Sequence, residues 1–126
     1  MFVINEDKSI YLTRGDIASI EVTAKYPDNN NYTFQVGDVV RIKVYEKKGC
    51  DCVVLKKAVT VEAETETVRI SLDAEETRIG EVINKPKDYW YEIELNPDTA
   101  PQTIIGYDED GAKVFRLFPE GREVNG

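Results

Sequence analysis

Apolar and polar residues alternate along most of this chain, and the alternation has the two-residue period of half-buried β-strands. It predicts short strands at Phe2–Ile4 and Ile10–Thr13, separated by the polar turn Asn5-Glu6-Asp7-Lys8. Ile17–Tyr26 follows, with Ala18, Ile20, Val22 and Ala24 inward and Ser19, Glu21, Thr23 and Lys25 outward. After the turn-rich Pro27-Asp28-Asn29-Asn30-Asn31 comes a brief strand over Tyr32–Val36. Val39–Lys47 then places Val40, Ile42 and Val44 on the core side. Cys52–Leu55 and Ala58–Val61 read as one strand interrupted by a bulge at Lys56-Lys57. Val68, Ile70 and Leu72 resume the inward pattern after an acidic stretch, Glu62, Glu64 and Glu66, expected at an exposed turn or edge.

The strand around which the others are expected to assemble is Asp88–Leu95, which holds the sole tryptophan. Tyr89, Tyr91, Ile93 and Leu95 share one face, while Trp90, Glu92 and Glu94 share the other. Gln102–Tyr107 and Lys113–Phe118 complete the series, the last with Phe115 and Leu117 opposite Val114, Arg116 and Phe118. A single helical turn is predicted near 74–79: Asp73 as N-cap, Glu76 completing the capping box, and Gly80 as the stop. The resulting fold class is all-β: a two-sheet antiparallel β-sandwich with immunoglobulin-like connections and that one helical turn. The expected domain organisation is a single domain over 1–119 and a frayed C-terminal tail over 120–126.

Composition narrows the function. The chain has 126 residues, of which 41% are hydrophobic, enough for one modest core. Its net charge of −8 argues against a nucleic-acid partner, which requires a clustered basic face, and equally against docking on anionic lipid. Neither a basic n-region followed by an apolar run nor a segment of transmembrane length is present, so the expectation is a protein made and kept in the cytosol, or leaving it by a route other than secretion, such as release on lysis.

Candidate chemistry is sparse. With no histidine in the chain, Ser-His and Cys-His pairs are excluded. Glu92 and Glu94 are two carboxylates, but they stand on one strand face and read as solvated charge, so no enzyme is expected and no cofactor. Cys50 and Cys52 read as two thiols beside a turn, with a metal or redox role as the alternatives and a disulfide disfavoured by the geometry of alternate strand residues. Arg14-Gly15-Asp16 reads as turn punctuation before an adhesion motif. Asp108-Glu109-Asp110-Gly111 reads as a hairpin turn before a calcium loop, since the further ligands of such a loop are absent. Trp90 has two readings, one filling the space between the sheets and the other forming an aromatic interface with Tyr45 or Tyr107.

Four segments carry a resemblance when taken in order: Ile10–Asp16, the Gly37–Arg41 turn into a strand, Ile70–Thr77 and Asp88–Leu95. Over about residues 9–118 this order resembles the N-terminal domain of upper baseplate proteins of tailed phages of Gram-positive bacteria, and related prophage proteins. The resemblance implies an immunoglobulin-like sandwich that attaches to other phage structural proteins in the tail or baseplate, with neither catalysis nor cofactor. Homo-oligomers are compatible with a ring-forming component. The protein would reside in the bacterial host cytoplasm before assembly and in the virion afterwards. The family's domain commonly opens a longer chain, so an accessory or adaptor protein is the form expected here. The competing expectation is a carbohydrate- or surface-binding module using Trp90, Tyr45 and Tyr107.

Overall fold

The computed structural model describes residues 1–47, 52–108 and 111–121. Its nine strands are β1 (Phe2–Ile4), β2 (Ile10–Thr13), β3 (Ala18–Val22), β4 (Val39–Tyr45), β5 (Val53–Thr60), β6 (Val68–Leu72), β7 (Lys87–Leu95), β8 (Gln102–Ile105) and β9 (Lys113–Phe118). They form a seven-stranded sheet in the order β1-β2-β9-β7-β4-β5, with β8 also paired to β7, and a two-stranded sheet of β3 and β6. The fold is therefore all-β, as the alternation predicts.

Both sheets contribute to one hydrophobic cluster. Ala18, Ile20 and Val22 of β3 lie opposite Leu72, Ile70 and Val68 of β6, and all six are buried. From the larger sheet come Ile10 and Leu12, Val40, Ile42 and Val44, Tyr89, Tyr91, Ile93 and Leu95, and Phe115 and Leu117. Within each strand these residues share one face by the two-residue period, and for β7 their burial decides between the two faces that the sequence left open. Burying any one of the larger aliphatic side chains contributes about 1.5–3 kcal/mol, so this shared set orients the two sheets.

β7 is the most extensively paired strand. On one side it meets β4 along Val40–Tyr45, and on the other it meets β9 along Lys87–Tyr91 and β8 along Ile93–Leu95. Several expectations are corrected. Not every pair is antiparallel: β2 runs parallel to β9, with Ile10 beside Phe115 and Leu12 beside Leu117, because the last strand slots between β2 and β7. The bulge expected at Lys56-Lys57 is absent; β5 is continuous and the irregularity lies opposite its start, between Val44 and Tyr45. The Tyr32–Val36 strand reduces to one bridge, Phe34 to Thr65, with the Phe34 ring fully buried. The strand predicted to continue to Tyr26 ends at Val22, after which Lys25 bridges Asn31 across a small loop.

The expected helical turn is also revised. Its capping box forms: Glu76 N–H donates to Asp73 Oδ1 at 2.8 Å and Asp73 N–H to Glu76 Oε1 at 3.1 Å. Ala74–Thr77 nevertheless remains a turn and does not develop into a helix. Thr77 is the reason the chain is needed in this shape. Its side chain is fully buried, where Oγ1 accepts from Gly15 N–H at 3.1 Å and donates to the Asp16 carbonyl at 2.8 Å. Gly15 has φ of 88°, and a Cβ there would lie 1.9 Å from Glu120 Oε1. Beside it Arg14, only 6% exposed, donates to the Gly80 carbonyl at 3.0 Å. Arg14-Gly15-Asp16 is thus a structural junction with its arginine turned inward. Glu120 pairs with Arg78 at 3.1 Å and its side chain is mostly covered; most of the tail expected to fray, 122–126, lies outside the described residues.

A second polar knot closes the opposite part of the sheet. The Asp38 carboxylate accepts from Tyr32 O–H at 2.7 Å, Gln35 N–H at 2.9 Å and Asn96 Nδ2 at 3.1 Å. Asn96 Oδ1 in turn accepts from Val39 N–H at 2.8 Å, which ties the start of β4 to the end of β7. Burial alone would raise the Asp38 pKa, but these three donors outweigh it and hold the carboxyl below its ordinary value. The same contact pushes the Tyr32 phenol up to about 12.

Candidate interaction face

The face of the larger sheet that points away from the core is not a plain solvated surface. Reading across the strands in register, Tyr45 of β4 lies beside Trp90 of β7, which lies beside Val114 of β9. One step along, Asp88 of β7 stands beside Arg116 of β9, and Arg116 beside Tyr11 of β2. In the other direction Glu92 and Glu94 oppose Lys43 and Arg41. All of these side chains are half-buried, including Trp90. Trp90 therefore does not fill the space between the sheets; its ring belongs to the outer face, alongside Tyr45.

Ion pairs and ring contacts hold the face in one arrangement. Arg116 grips Asp88 with two donors, Nε to Oδ1 at 2.6 Å and Nη2 to Oδ2 at 3.1 Å. The hydrogen bonds from Arg116 hold the Asp88 carboxyl below the usual carboxylate range, against the opposing effect of burial. The same guanidinium stacks 5.3 Å from the Tyr11 ring, which meets Phe118 edge-on at 5.7 Å. Arg41 reaches Glu94 at 3.3 Å and Asp98 at 3.5 Å, and Lys43 approaches Glu94 at 3.7 Å. The Tyr45 hydroxyl donates to Glu92, and burial followed by this hydrogen bond pushes the phenol up.

Two of the three aromatic residues singled out from the sequence are thus brought together. Tyr107 is not joined to them: it lies beyond β8, 82% exposed, and makes no ring contact among the described residues. Asp88, Arg116, Tyr11 and Arg41 complete the face and were not singled out from the sequence. Their charges are complementary only once the register is known, and no local pattern in the chain reports register.

The remaining candidates fall elsewhere. Glu92 and Glu94 are engaged by Tyr45, Arg41 and Lys43, and neither lines the clefts of about 610, 630 and 490 Å³ that open in other parts of the molecule. Cys52 is disulfide-bonded, which corrects the expectation of a thiol at this position; Cys50 lies outside the described residues. Asp108 receives Lys113 Nζ at 2.8 Å, while Glu109 and Asp110 lie outside the described residues. Among the described residues, no group of three or more acidic or cysteine side chains is placed to hold a metal ion, and no helix is long and apolar enough to cross a membrane. Comparison with protein-family models, with curated proteins and with solved structures found no match to this chain.

Proposed function

We propose that this chain is a phage or prophage structural protein, a tail or baseplate component or adaptor, which works through protein–protein contacts made by the outer face of its larger sheet. The observation that carries the contact reading is the face itself. It combines Trp90, Tyr45 and Tyr11 with Arg41 and Arg116, the residue types that dominate binding energy at protein interfaces. The ion pairs and ring contacts that fix these side chains reduce the ordering cost of association, which is about 0.5–1.5 kcal/mol per immobilised side chain. Assignment to tails and baseplates is supported by the ordered resemblance of the Ile10–Asp16, Gly37–Arg41, Ile70–Thr77 and Asp88–Leu95 segments. Immunoglobulin-like connectivity, and with it a sandwich in the family's sense, is part of the same reading.

Co-expression with the tail and baseplate proteins encoded beside it, followed by affinity purification, tests the proposal. The expected result is a stable complex that W90A and Y45A each weaken at least tenfold while the variants stay folded by circular dichroism. Absence of any complex, or complexes indifferent to both substitutions, would overturn it. The alternative, a carbohydrate- or surface-binding module, would use Trp90 with Tyr45, and a glycan array repeated with W90A tests it.

A further inference from the structure

A different part of the molecule carries a second binding reading. Between β3, with the loop that follows it, and β8 lies a cleft of about 610 Å³. One wall is the unbroken run Thr23 to Pro27 and the other is the whole of β8, Gln102 to Ile105. Successive residues of a strand point to opposite faces, so a wall built from all of β8 is that strand seen edge-on, while Thr23–Pro27 is one arm of a small loop whose other arm, Asn30–Tyr32, takes its main-chain hydrogen bonds. The pairing agrees for β8, which is bonded only to β7, with Ile104 as the extra residue where the register shifts between Ile93 and Glu94. Among the described residues, β8 therefore keeps one edge of main-chain N–H and C=O groups with no strand beside it.

We propose that this cleft takes up an extended, carboxylate-bearing segment of a partner protein, which adds to β8 as a further strand. Strand addition uses main-chain hydrogen bonds for affinity and alternate side-chain contacts for selection, and both are in place here. The half-buried Ile104 and Ile105 offer apolar contact on one side, and Tyr26, 51% exposed and packed edge-on against Tyr32 at 5.6 Å, forms an aromatic wall on the other. At about 3.3 Å per residue, the four residues of β8 accommodate a segment of about four to five residues.

Charge specifies the occupant. Three charged side chains line the cleft: Lys8, Lys25 and Glu21. Glu21 is neutralised by Arg69 at 2.8 Å. Lys8 and Lys25 are exposed and have no ion pair among the described residues. Lys8 is also fixed in place, since its carbonyl accepts the Tyr91 hydroxyl from the core and its φ is 71°. A cleft with a positive lining in a protein of net charge −8 selects carboxylates locally. The same net charge works against a second copy as the occupant, because two such chains repel at long range.

The test uses the whole chain and a capped hexapeptide of alternating valine and glutamate, with a lysine-for-glutamate peptide as control. Titration followed by amide chemical shifts is expected to move the signals of Thr23–Pro27 and Gln102–Ile105, with the acidic peptide preferred. The double variant K8E/K25E, at two exposed positions, is expected to weaken the acidic peptide about tenfold and to reverse the preference. Equal binding of both peptides, shifts confined to the outer face around Trp90, or no saturable shifts would overturn the proposal. So would a rise in mass with concentration by light scattering that K8E/K25E abolishes, since the occupant would then be a second copy. Binding at the outer face is distinguishable from binding in the cleft, because W90A and Y45A act on a different set of signals.

Discussion

Replacing Thr77 by valine isolates the junction on which the Arg14–Gly15 turn rests. Valine keeps the branched shape of threonine, so no cavity opens, but the hydroxyl disappears. Gly15 N–H then loses its acceptor at 3.1 Å, and the Asp16 carbonyl loses its donor at 2.8 Å, in part-buried hydrogen bonds made by a side chain that is itself fully buried. A buried donor left unsatisfied costs about 1–3 kcal/mol, and the carbonyl, with two lone pairs, adds a smaller amount. Against this, the added methyl gains up to about 0.8 kcal/mol from burial. The net expectation is a loss of about 1–3 kcal/mol, a large share of the ~5–15 kcal/mol typical of a whole domain. Urea unfolding monitored by the fluorescence of Trp90, the sole tryptophan, reads it directly. With m near 2 kcal/mol/M, the midpoint should fall by about 1 M with the slope unchanged. The control is Thr77→Ser, which keeps the hydroxyl and loses one methyl, at about 1 kcal/mol. The reasoning is refuted if valine is tolerated within about 0.5 kcal/mol, or tolerated better than serine.

Three further expectations address other parts of the fold. Gly15→Ala should cost about 2–4 kcal/mol by the same assay, because φ of 88° is strained for any side chain and the new methyl displaces Glu120 from Arg78. The Asp38 knot should give the stability a pH dependence at both ends. Because the folded Asp38 pKa is depressed, its contribution is complete above the ordinary value of 3.8 and lost as pH falls through the lower folded value. Because the folded Tyr32 pKa is raised, its contribution is complete below 10.0 and lost as pH rises through about 12. Asp38→Asn should remove about 1–3 kcal/mol at neutral pH and flatten the acid limb of a melting-temperature profile; an acid limb identical to the parent's would count against the assignment. Finally, thiol titration of the unreduced, denatured protein should find no free thiol at Cys52, and a stoichiometric signal there would contradict the disulfide.

The clearest agreement between chain and fold is in residues whose neighbours two positions away share their fate. Ala18, Ile20 and Val22, Val40, Ile42 and Val44, and Val68, Ile70 and Leu72 are buried as their alternation requires. So are the four core-facing residues of β7, and the boundaries of β2 and β9 match as well. The capping box at Asp73 and Glu76 was also legible, but its hydrogen bonds do not by themselves propagate a helix. So short a segment takes its shape from what packs on it, and here Thr77 is committed to Gly15 and Asp16.

Amino-acid order by itself determined that this is a β protein, which residues of each strand share a face, and that Trp90 lies on the face opposite Tyr89 and Tyr91. The side-chain period alone is enough for that, since it is a property of each strand in isolation. Tertiary structure alone decided which edges meet: β9 beside β2 in parallel, Trp90 beside Tyr45, Asp88 beside Arg116, and the edge of β8 across one cleft from the loop after β3. Edges are made of main-chain N–H and C=O groups that are the same for nearly every residue, so their pairing leaves no local mark in the chain. The outer face and the cleft both consist of such meetings, and for that reason the sequence showed their residues but not the sites.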